Sequence, residues 1–456
     1  MKMRRVPIWL LCLAATTVVT RLSAQQPTLA SAIDAYMEPY VASSNFAGQV
    51  LVRRRGKVIY ERNFGEADRE RRIPNTANTR FHVASVSMML TSAAVLRLVD
   101  HGKLSLDTRV SEIIPSLRGG ERITIRNLLE QRSGVSDINS RPDYADIIQH
   151  RQTPASLVAF VSNDSLLFAP GSKYAHEEHS AFNILALIIE RKTGLDFPHA
   201  MQRLLFAPAR MAHSAVDDDA GACRDAARGY APVGVSGIGA AQQIYWTAKA
   251  GNASACTTAS DEARYVDEIF HGKLFGSATR ALVVDTAGPP VGYGWFRRQS
   301  SRFGEFAYNM SGRAPGFASF VLYLPREDLT VVALSNIYSS STGNIGNDIA
   351  AIALGLPYQP LTIRAPLLAA DSLAIAAKRF TFSADFYQPN ATLEFHQQGA
   401  EMFLRWPSGD LSPLIPLDRD HFIDRAYWEP VTIARGDGGV PLSITYGRFT
   451  GSPDRR

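Results

Sequence analysis

The 456-residue sequence has few cysteines, and beyond its first 24 residues it has no excess of charge of either sign. Four of its 48 basic residues and none of its 43 acidic residues lie in residues 1–24, which leaves 44 basic against 43 acidic residues. This near balance, without a basic stripe, argues against a nucleic-acid partner. Internal repeats and low-complexity tracts are also lacking, so the chain is predicted to form two or three ordinary globular domains.

An apolar run long enough to span a membrane is lacking as well. The N-terminal run is short, follows the basic residues Lys2, Arg4 and Arg5, and ends at Ala24 before a polar segment. This pattern is typical of a secretory signal and predicts cleavage after residue 24, no membrane span afterwards, and a secreted or periplasmic location. An uncleaved anchor is the alternative, because Arg21 is unusual so close to a cleavage point.

Loss of the signal would also remove Cys12 and leave only Cys223 and Cys256. In an exported protein these two could form a disulfide, and the loop that it closes would stabilise the fold by roughly 3 to 4 kcal/mol. They could equally be two buried thiols. The sequence does not decide between these alternatives.

Within the first 360 residues, the sequence predicts strands near the beginning and near the end and helices between them. "GQVLVRR" and "KVIYERNFG" alternate around a short turn and predict a hairpin. Residues 154–285 are mostly helical in pattern, and "SAFNILALIIERKTG" is predicted to form a helix with Ser180 as N-cap and Gly194 as its end. Strands return in "FGEFAYNMSG", "FASFVLYLP" and "LTVVALSN". We therefore expect one antiparallel sheet built from both ends of this region, with a helical insertion.

After residue 360 the pattern changes to short strands at regular intervals, such as "ATLEFHQQ", "EMFLRWP" and "PLSITYGRF". This spacing predicts a separate small β-domain of the sandwich or barrel type.

The order of several segments resembles the penicillin-recognising serine hydrolases, which include class C β-lactamases, D-Ala-D-Ala carboxypeptidases and related esterases. The resemblance covers roughly residues 30–340 and rests on "RFHVASVS", "ITIRNLLEQRSGV", "PGSKY", "NILALIIERKTGLDF", "GYGW" and "PGFASFVLYLPREDLTVVALSN". It implies an α/β (α+β) fold in which helices flank an antiparallel sheet, followed by a small all-β lipocalin-like domain. The expected organisation is a signal peptide at 1–24, a hydrolase domain at 25–360 and a β-domain at 361–456.

All three catalytic motifs of that family are altered in this sequence. In S-x-x-K the serine attacks and the lysine one turn later is the base; here the segment reads "SVSM", with Ser85 as the nucleophile position and Met88 in place of the lysine. In K-x-G or H-x-G a cation or imidazole polarises the substrate beside the oxyanion hole. Here the segment is Met310, Ser311 and Gly312, which retains only the glycine.

The second motif, Y-x-N or S-x-N, falls on "HEEH" and is altered too. His176 or Glu177 takes the place of the tyrosine, and Glu178 or His179 that of the asparagine, depending on where one extra residue is placed. A histidine of this segment, oriented by a neighbouring glutamate, could replace the lost base and activate Ser85. The segment lacks the histidine spacing of H-E-x-x-H, so no metal and no cofactor are predicted.

Arg313, next to the third motif, takes a place that the family usually gives to a small residue. It is predicted to bind substrate by recognising a carboxylate, or simply to fill the pocket. The expected partner is a small peptide, ester or lactam ligand in the family groove, and the oligomeric state cannot be predicted.

The replacement of all three proton-carrying side chains, among otherwise legible family segments, indicates a catalytically impaired hydrolase homologue. General acid–base catalysis contributes ~10²–10⁴-fold to a rate. We therefore expect a binding or regulatory protein directed at peptidoglycan-like peptides. The alternative is an active esterase or peptidase that uses Ser85 with a base from "HEEH". A structural role for the C-terminal β-domain has no positive signal.

Overall fold

The computed structural model describes residues 28–175, 178–363, 375 and 378–454. The predicted signal at 1–24 and two of the second-motif residues, His176 and Glu177, lie outside these ranges. Within them, no helix combines the length and the apolar character that a membrane span requires.

The helices of the described residues lie mainly between two groups of strands. They are α1 (Leu29–Ala42), α2 (Ser87–Asp100), α3 (Ile125–Leu129), α4 (Tyr144–Ile147), α5 (Pro154–Val161), α6 (His179–Thr193), α7 (Phe197–Met201), α8 (Ala259–Phe270), α9 (Ser277–Val284) and α10 (Ser341–Leu354).

The strands before residue 360 form one large sheet and three small ones. They are β1 (Gly48–Arg54), β2 (Lys57–Phe64), β3 (Glu66–Asp68), β4 (Ile73–Pro74), β5 (Phe81–His82), β6 (Ala215–Val216), β7 (Tyr230–Val233), β8 (Gly237–Ala240), β9 (Ala255–Thr257), β10 (Val291–Gly292), β11 (Trp295–Ser300), β12 (Glu305–Ala314), β13 (Phe317–Leu324) and β14 (Leu329–Ser335).

The large sheet is antiparallel throughout and joins the two ends of this region, as the sequence predicts. Its order is β10-β11-β12-β13-β14-β1-β2, so the late strand β14 pairs with the early strand β1, with Val50 opposite Ala333. The predicted hairpin is β1–β2. All residues of β13 and β14 are buried, because helices cover the central strands on both faces. The fold is thus an α/β (α+β) arrangement with a largely helical insertion.

One boundary of the predicted helix in the second-motif region is wrong. Helix α6 begins at His179 with Glu178 as its N-cap residue, and Ser180 is already inside the helix. The Ser180 hydroxyl instead accepts a hydrogen bond from the backbone N–H of Ile138, at 2.8 Å, so a long-range contact uses the group that was expected to cap the helix. The predicted end is confirmed: Gly194 closes α6 in the left-handed conformation, with φ of 68°.

Cys223 and Cys256 form a disulfide, with 6.2 Å between their Cα atoms. The bridge ties β9 to the loop that follows β6, and β9 in turn pairs with β5, shortly before Ser85. The sequence leaves open a disulfide or two buried thiols, and the structure contains the disulfide.

The C-terminal segment forms a closed eight-stranded antiparallel barrel, which decides between the predicted sandwich and barrel types. Its strands are β15 (Arg379–Thr381), β16 (Thr392–Gln398), β17 (Glu401–Arg405), β18 (Leu411–Pro416), β19 (His421–Asp424), β20 (Glu429–Arg435), β21 (Pro441–Tyr446) and β22 (Phe449–Pro453). The barrel closes through pairing of β15 with β22 and encloses its own apolar core, which includes Phe380, Phe395 and Ile444.

The turn between β19 and β20 inserts the fully buried Arg425 into the first domain. Its Nη1 donates to the carbonyls of Gly234 and Gly237 at 2.7 and 2.6 Å, its Nη2 to that of Ser44 at 3.0 Å, and its Nε to Asn45 Oδ1 at 2.7 Å. The guanidinium thus joins the barrel both to the segment after α1 and to the β7–β8 hairpin.

Glu262 in α8 has a buried carboxyl group whose two oxygens have no hydrogen-bond partner among the described residues. Burial raises the pKa of Glu262 from 4.5 to about 8, and the neighbouring Asp261 carboxylate adds to the shift. Between these two pH values the folded protein keeps a proton that the unfolded chain has released. Because the folded pKa is the higher one, the free energy of unfolding falls as the pH rises through this window.

We expect Glu262→Gln to raise the free energy of unfolding by about 2 kcal/mol near pH 7, since glutamine has the shape of the protonated acid and never ionises. The gain should vanish near pH 4, where glutamate is protonated in both states. Guanidinium unfolding at the two pH values measures this difference. Glu38→Gln, at an exposed site of α1, is the matched control and should change little at either pH. A gain for Glu262→Gln that is independent of pH would contradict the prediction.

Candidate active site

Ser85 lies in a short 3₁₀ turn, Ala84–Val86, immediately before α2. The side chain of Ser85 is half-buried, whereas its neighbours in the turn are buried. Ala84 adopts φ of +48°, a left-handed conformation that costs free energy for a residue with a Cβ atom and that the surrounding structure must hold in place. The hydroxyl is therefore presented by a tightly constrained turn.

Two neighbouring strands hold this turn in position. The backbone N–H of Val83 donates to Ala255 O at 3.0 Å, and the N–H of Ala255 donates to Ser87 Oγ at 3.1 Å, so β9 brackets the turn from both sides. From β13, the hydroxyl of Ser319 donates to Val83 O at 2.6 Å. The position of Ser85 thus depends on contacts from residues that are far away in the sequence.

Gly312 in β12 passes directly beside the Ser85 turn. A Cβ atom at position 312 would lie 2.5 Å from Val83 O, 2.7 Å from Ser85 N and 2.8 Å from Ser319 Oγ, which no side chain could tolerate without a shift of the backbone. The structure therefore brings the first-motif and third-motif segments together. It also gives the physical reason for the glycine: the strand must approach the backbone N–H of Ser85 this closely.

The two methionines at the altered lysine positions are packed in the core. Met88 is 2% exposed and Met310 is 4% exposed, and both belong to the main apolar cluster, whereas Ser311, the next residue of β12, is exposed. Among the described residues, the hydroxyl of Ser85 forms no hydrogen bond. A thioether cannot take up the proton of a serine hydroxyl under ordinary conditions, so neither methionine can act as its base.

Glu178 of the second-motif segment is buried and is used to hold a loop. Its carboxylate accepts hydrogen bonds from the N–H and the hydroxyl of Ser133, at 3.1 and 3.0 Å, and from the N–H of Gly134 at 3.1 Å. Burial raises its pKa, and these hydrogen bonds oppose the shift. Glu178 therefore joins the start of α6 to the loop after α3.

His179, the first residue of α6, is oriented by a carboxylate. Its Nδ1 lies 3.1 Å from Asp137 Oδ2 and 3.1 Å from Asn139 Nδ2. A histidine held by a carboxylate is the arrangement that orients a general base in serine hydrolases. The sequence predicts a glutamate in the orienting role, but in the structure the carboxylate comes from a different segment.

Lys249 is a site residue that the sequence does not reveal. It is 8% exposed, and its Nζ lies 4.6 Å from the centroid of the Tyr144 ring. Burial lowers the pKa of Lys249 to about 8, and the Asp137 carboxylate partly opposes this shift. Lys249, Tyr144, Asp137 and His179 thus form one polar cluster at the start of α6. The segment "WTAKAGNAS" has no motif, and only tertiary packing shows that this lysine is buried.

Arg313 is engaged by aromatic rings and by the barrel. Its guanidinium carbon lies 4.5 Å from the ring centroid of Tyr338 and 4.0 Å from that of Tyr427, and its Nη1 donates to Ala426 O at 2.7 Å. Tyr427 and Ala426 belong to the β19–β20 turn, so this contact joins the third-motif strand to the second domain. Recognition of a substrate carboxylate by Arg313 stays a prediction.

The chain is similar to known enzymes and to solved structures. It is 28% identical over 319 residues to a D-aminopeptidase of Gluconobacter oxydans, which covers 69% of this chain and 60% of that protein. It is 31% identical over 214 residues to esterase EstB of Burkholderia gladioli, which covers 43% of this chain and 54% of the esterase. The matched region therefore spans less than two thirds of either relative.

Structural similarity extends over both domains. The octameric penicillin-binding protein homologue from Pyrococcus abyssi superposes with a TM-score of 0.65 at 19% identity, covering 92% of this chain and 99% of that one, which shows a shared fold. The sequence profile of the Beta-lactamase family matches residues 31–354. The protein is therefore a member of the β-lactamase family of serine hydrolases.

Proposed function

We propose that this protein is a catalytically impaired member of its family, which binds small peptidoglycan-like peptides in the family groove and acts in binding or regulation. The observation that carries the proposal is the absence of a hydrogen-bonded base at Ser85 Oγ among the described residues, with Met88 and Met310 buried at the two lysine positions. The loss of general-base assistance alone would lower the rate of acylation by ~10²–10⁴-fold.

The backbone beside Ser85 supports ligand binding by a catalytically impaired protein. A Cβ atom at Gly312 would lie 2.7 Å from Ser85 N, so the third-motif strand runs beside this N–H group. The family resemblance implies that the backbone N–H groups of Ser85 and Arg313 form the oxyanion hole. Such a pair of donors needs no lysine and can hold a carbonyl oxygen of a ligand. The names of the relatives, a D-aminopeptidase and a penicillin-binding protein homologue, support short peptides with D-residues as the ligand class. Secretion or a periplasmic location, proposed from residues 1–24, would give access to such peptides.

The test is labelling of purified protein with a fluorophosphonate and with a fluorescent penicillin, each of which reacts with an activated serine. We expect no more labelling of the wild type than of Ser85→Ala, because no described residue is hydrogen-bonded to the hydroxyl as a base. Calorimetric titration with a peptide that ends in D-Ala-D-Ala should show binding to both proteins. Labelling of the wild type that disappears in Ser85→Ala would overturn the proposed loss of catalysis, and the absence of peptide binding would overturn the proposed ligand class.

The second candidate is an active esterase or peptidase, which the His179–Asp137 pair favours. A carboxylate 3.1 Å from Nδ1 would stabilise the imidazolium that forms when the histidine accepts a proton. In that case Ser85-dependent labelling should fall by at least tenfold in His179→Ala. His101→Ala, at the exposed end of α2, serves as the control and should label as the wild type does. Loss of labelling in Ser85→Ala but not in His179→Ala would exclude this base.

A further inference from the structure

A buried cluster with the chemistry of a metal site lies on the small sheet formed by β5, β9 and β6. In this sheet His82 of β5 is directly opposite Cys256 of β9, and Ala215 of β6 is opposite the same cysteine. Directly opposed residues point to the same face of a sheet. Asp217 follows β6 by one residue, and its N–H continues the pairing by donating to Ser254 O at 2.8 Å. As the second residue after Ala215, Asp217 also lies on this face.

Cys223 completes the cluster through its disulfide with Cys256. One ligand atom each from His82, Asp217 and Cys223 lie within 4.8 Å of one another. All four side chains are nearly inaccessible to solvent: His82 is 5% exposed, Asp217 8%, Cys223 4% and Cys256 0%. One imidazole, one carboxylate and the sulfur of Cys223, which is bonded to that of Cys256, therefore lie together in a buried site.

The imidazole of His82 is held in place but only half of its hydrogen-bonding capacity is used. Its Nε2 lies 2.8 Å from Asp217 Oδ2, and its ring stacks on Trp246 with 3.8 Å between centroids and 6° between planes. Its other nitrogen, Nδ1, is buried and has no hydrogen-bond partner among the described residues. Histidines that bind a metal through one ring nitrogen commonly donate the N–H of the other nitrogen to a carboxylate, and His82 has this arrangement.

We propose that reduction of the Cys223–Cys256 disulfide creates a zinc site in which the two cysteine sulfurs and His82 Nδ1 bind one Zn²⁺, while Asp217 orients the imidazole. Sulfur and imidazole ligands suit Zn²⁺, and three protein ligands leave a fourth position for water. In the reduction, a dithiol gives two electrons to the disulfide and becomes a cyclic disulfide, and its two protons pass to the cysteine sulfurs. Zinc then displaces these two protons to solvent.

The consequence of this site is that β9 stays tied to the Cys223 loop in both redox states. In the oxidised protein the link is covalent, and in the reduced protein the metal provides it. His82 lies three residues before Ser85, and β9 brackets the Ser85 turn, so the same link supports the turn that presents the serine. The inference does not depend on whether Ser85 is catalytically active.

The experiment uses cobalt as a spectroscopic probe for zinc, in a Cys12→Ser background that removes the third cysteine. The full chain is titrated with Co²⁺ before and after reduction with a dithiol that is then removed by gel filtration under argon. We expect one equivalent of Co²⁺ to bind to the reduced protein with thiolate-to-cobalt charge-transfer absorption, and no such absorption with the oxidised protein. Zn²⁺ should displace the cobalt and raise the thermal midpoint of the reduced protein.

Variants assign the ligands. Cys223→Ser should lower the charge-transfer absorbance per bound cobalt by about half, and His82→Ala and Asp217→Asn should each weaken metal binding by at least tenfold. His199→Ala is the matched control, because His199 also pairs with an aspartate, Asp196, but in an exposed site without cysteines. Circular dichroism verifies the fold of each variant before metal is added, and His82→Gln replaces His82→Ala if the alanine variant does not fold. Absence of cobalt–thiolate absorption in the reduced wild type, or unchanged affinity in the His82 variant, would overturn the proposal.

Discussion

Met88→Lys, which restores the residue that the family motif has at this position, is expected to lower the free energy of unfolding by about 4 kcal/mol near pH 7. The side chain at position 88 is 2% exposed and lies in the main apolar cluster, so an ammonium group there would lose its hydration. Its pKa would fall below the value in the unfolded chain. Because the folded pKa is the lower one, the deficit should shrink as the pH rises towards about 10 and the amine becomes neutral in both states.

Guanidinium unfolding of Met88→Lys at neutral and alkaline pH measures this effect. Met88→Leu is the matched control, since it keeps an apolar side chain of similar volume and should cost less than about 1.5 kcal/mol at any pH. A lysine variant as stable as the leucine variant at neutral pH would show that the site still solvates a charge beside Ser85. That result would weaken the proposed loss of catalysis, because a site that accepts a protonated lysine keeps the polar surroundings of a working base.

Arg425→Ala is expected to lower the free energy of unfolding by about 4 kcal/mol, because it leaves several buried acceptors without a donor. The guanidinium is fully buried and donates to the carbonyls of Gly234, Gly237 and Ser44 and to the side chain of Asn45. Hydrogen exchange should therefore accelerate in residues 43–45 and 234–237 before it does so in the large sheet.

Arg448→Ala is the control for this prediction, because Arg448 also belongs to the barrel but its side chain is exposed and contacts only the Phe449 ring among the described aromatic residues. Its expected cost is at most about 1 kcal/mol. Arg425→Lys should recover only part of the loss, since an ammonium group cannot donate in four fixed directions from one plane. Equal stability of the alanine variant and the wild type would mean that water satisfies the buried carbonyls.

Regular local patterns predicted much of the fold. The alternation in "GQVLVRR" and "KVIYERNFG" is that of β1 and β2, and the glycine at 194 ends α6 because only a residue without a Cβ atom adopts the left-handed conformation cheaply. The start of α6 was predicted incorrectly, because the Ser180 hydroxyl accepts a hydrogen bond from the N–H of Ile138 instead of capping the helix. Glu178, which precedes the helix, accepts hydrogen bonds from the 133–134 loop. The strand pattern after residue 360 could not decide between a sandwich and a closed barrel. Closure depends on the pairing of β15 with β22, about seventy residues later in the chain.

The candidate site, too, was predicted from the sequence only in part. The positions of Ser85, Met88, Met310 and Gly312 come from family motifs in the sequence, and the structure shows why the glycine is required. The Asp137 partner of His179, the buried Lys249 and the partners of Arg313 come from segments that are distant in the chain and carry no motif of their own.

By itself, the sequence determined that the chain has the β-lactamase fold. It also predicted that Ser85 takes the nucleophile position and that Met88 and Met310 stand at the two lysine positions. These conclusions rest on residue identity and on spacing along the chain, both of which are fixed before the chain folds. Only the tertiary structure decided which groups lose water and which meet across the fold: the disulfide at His82, the pairing of His179 with Asp137, and the attachment of the barrel through Arg425. Burial and distance set the charge and reactivity of these groups, and both arise only when distant segments pack together.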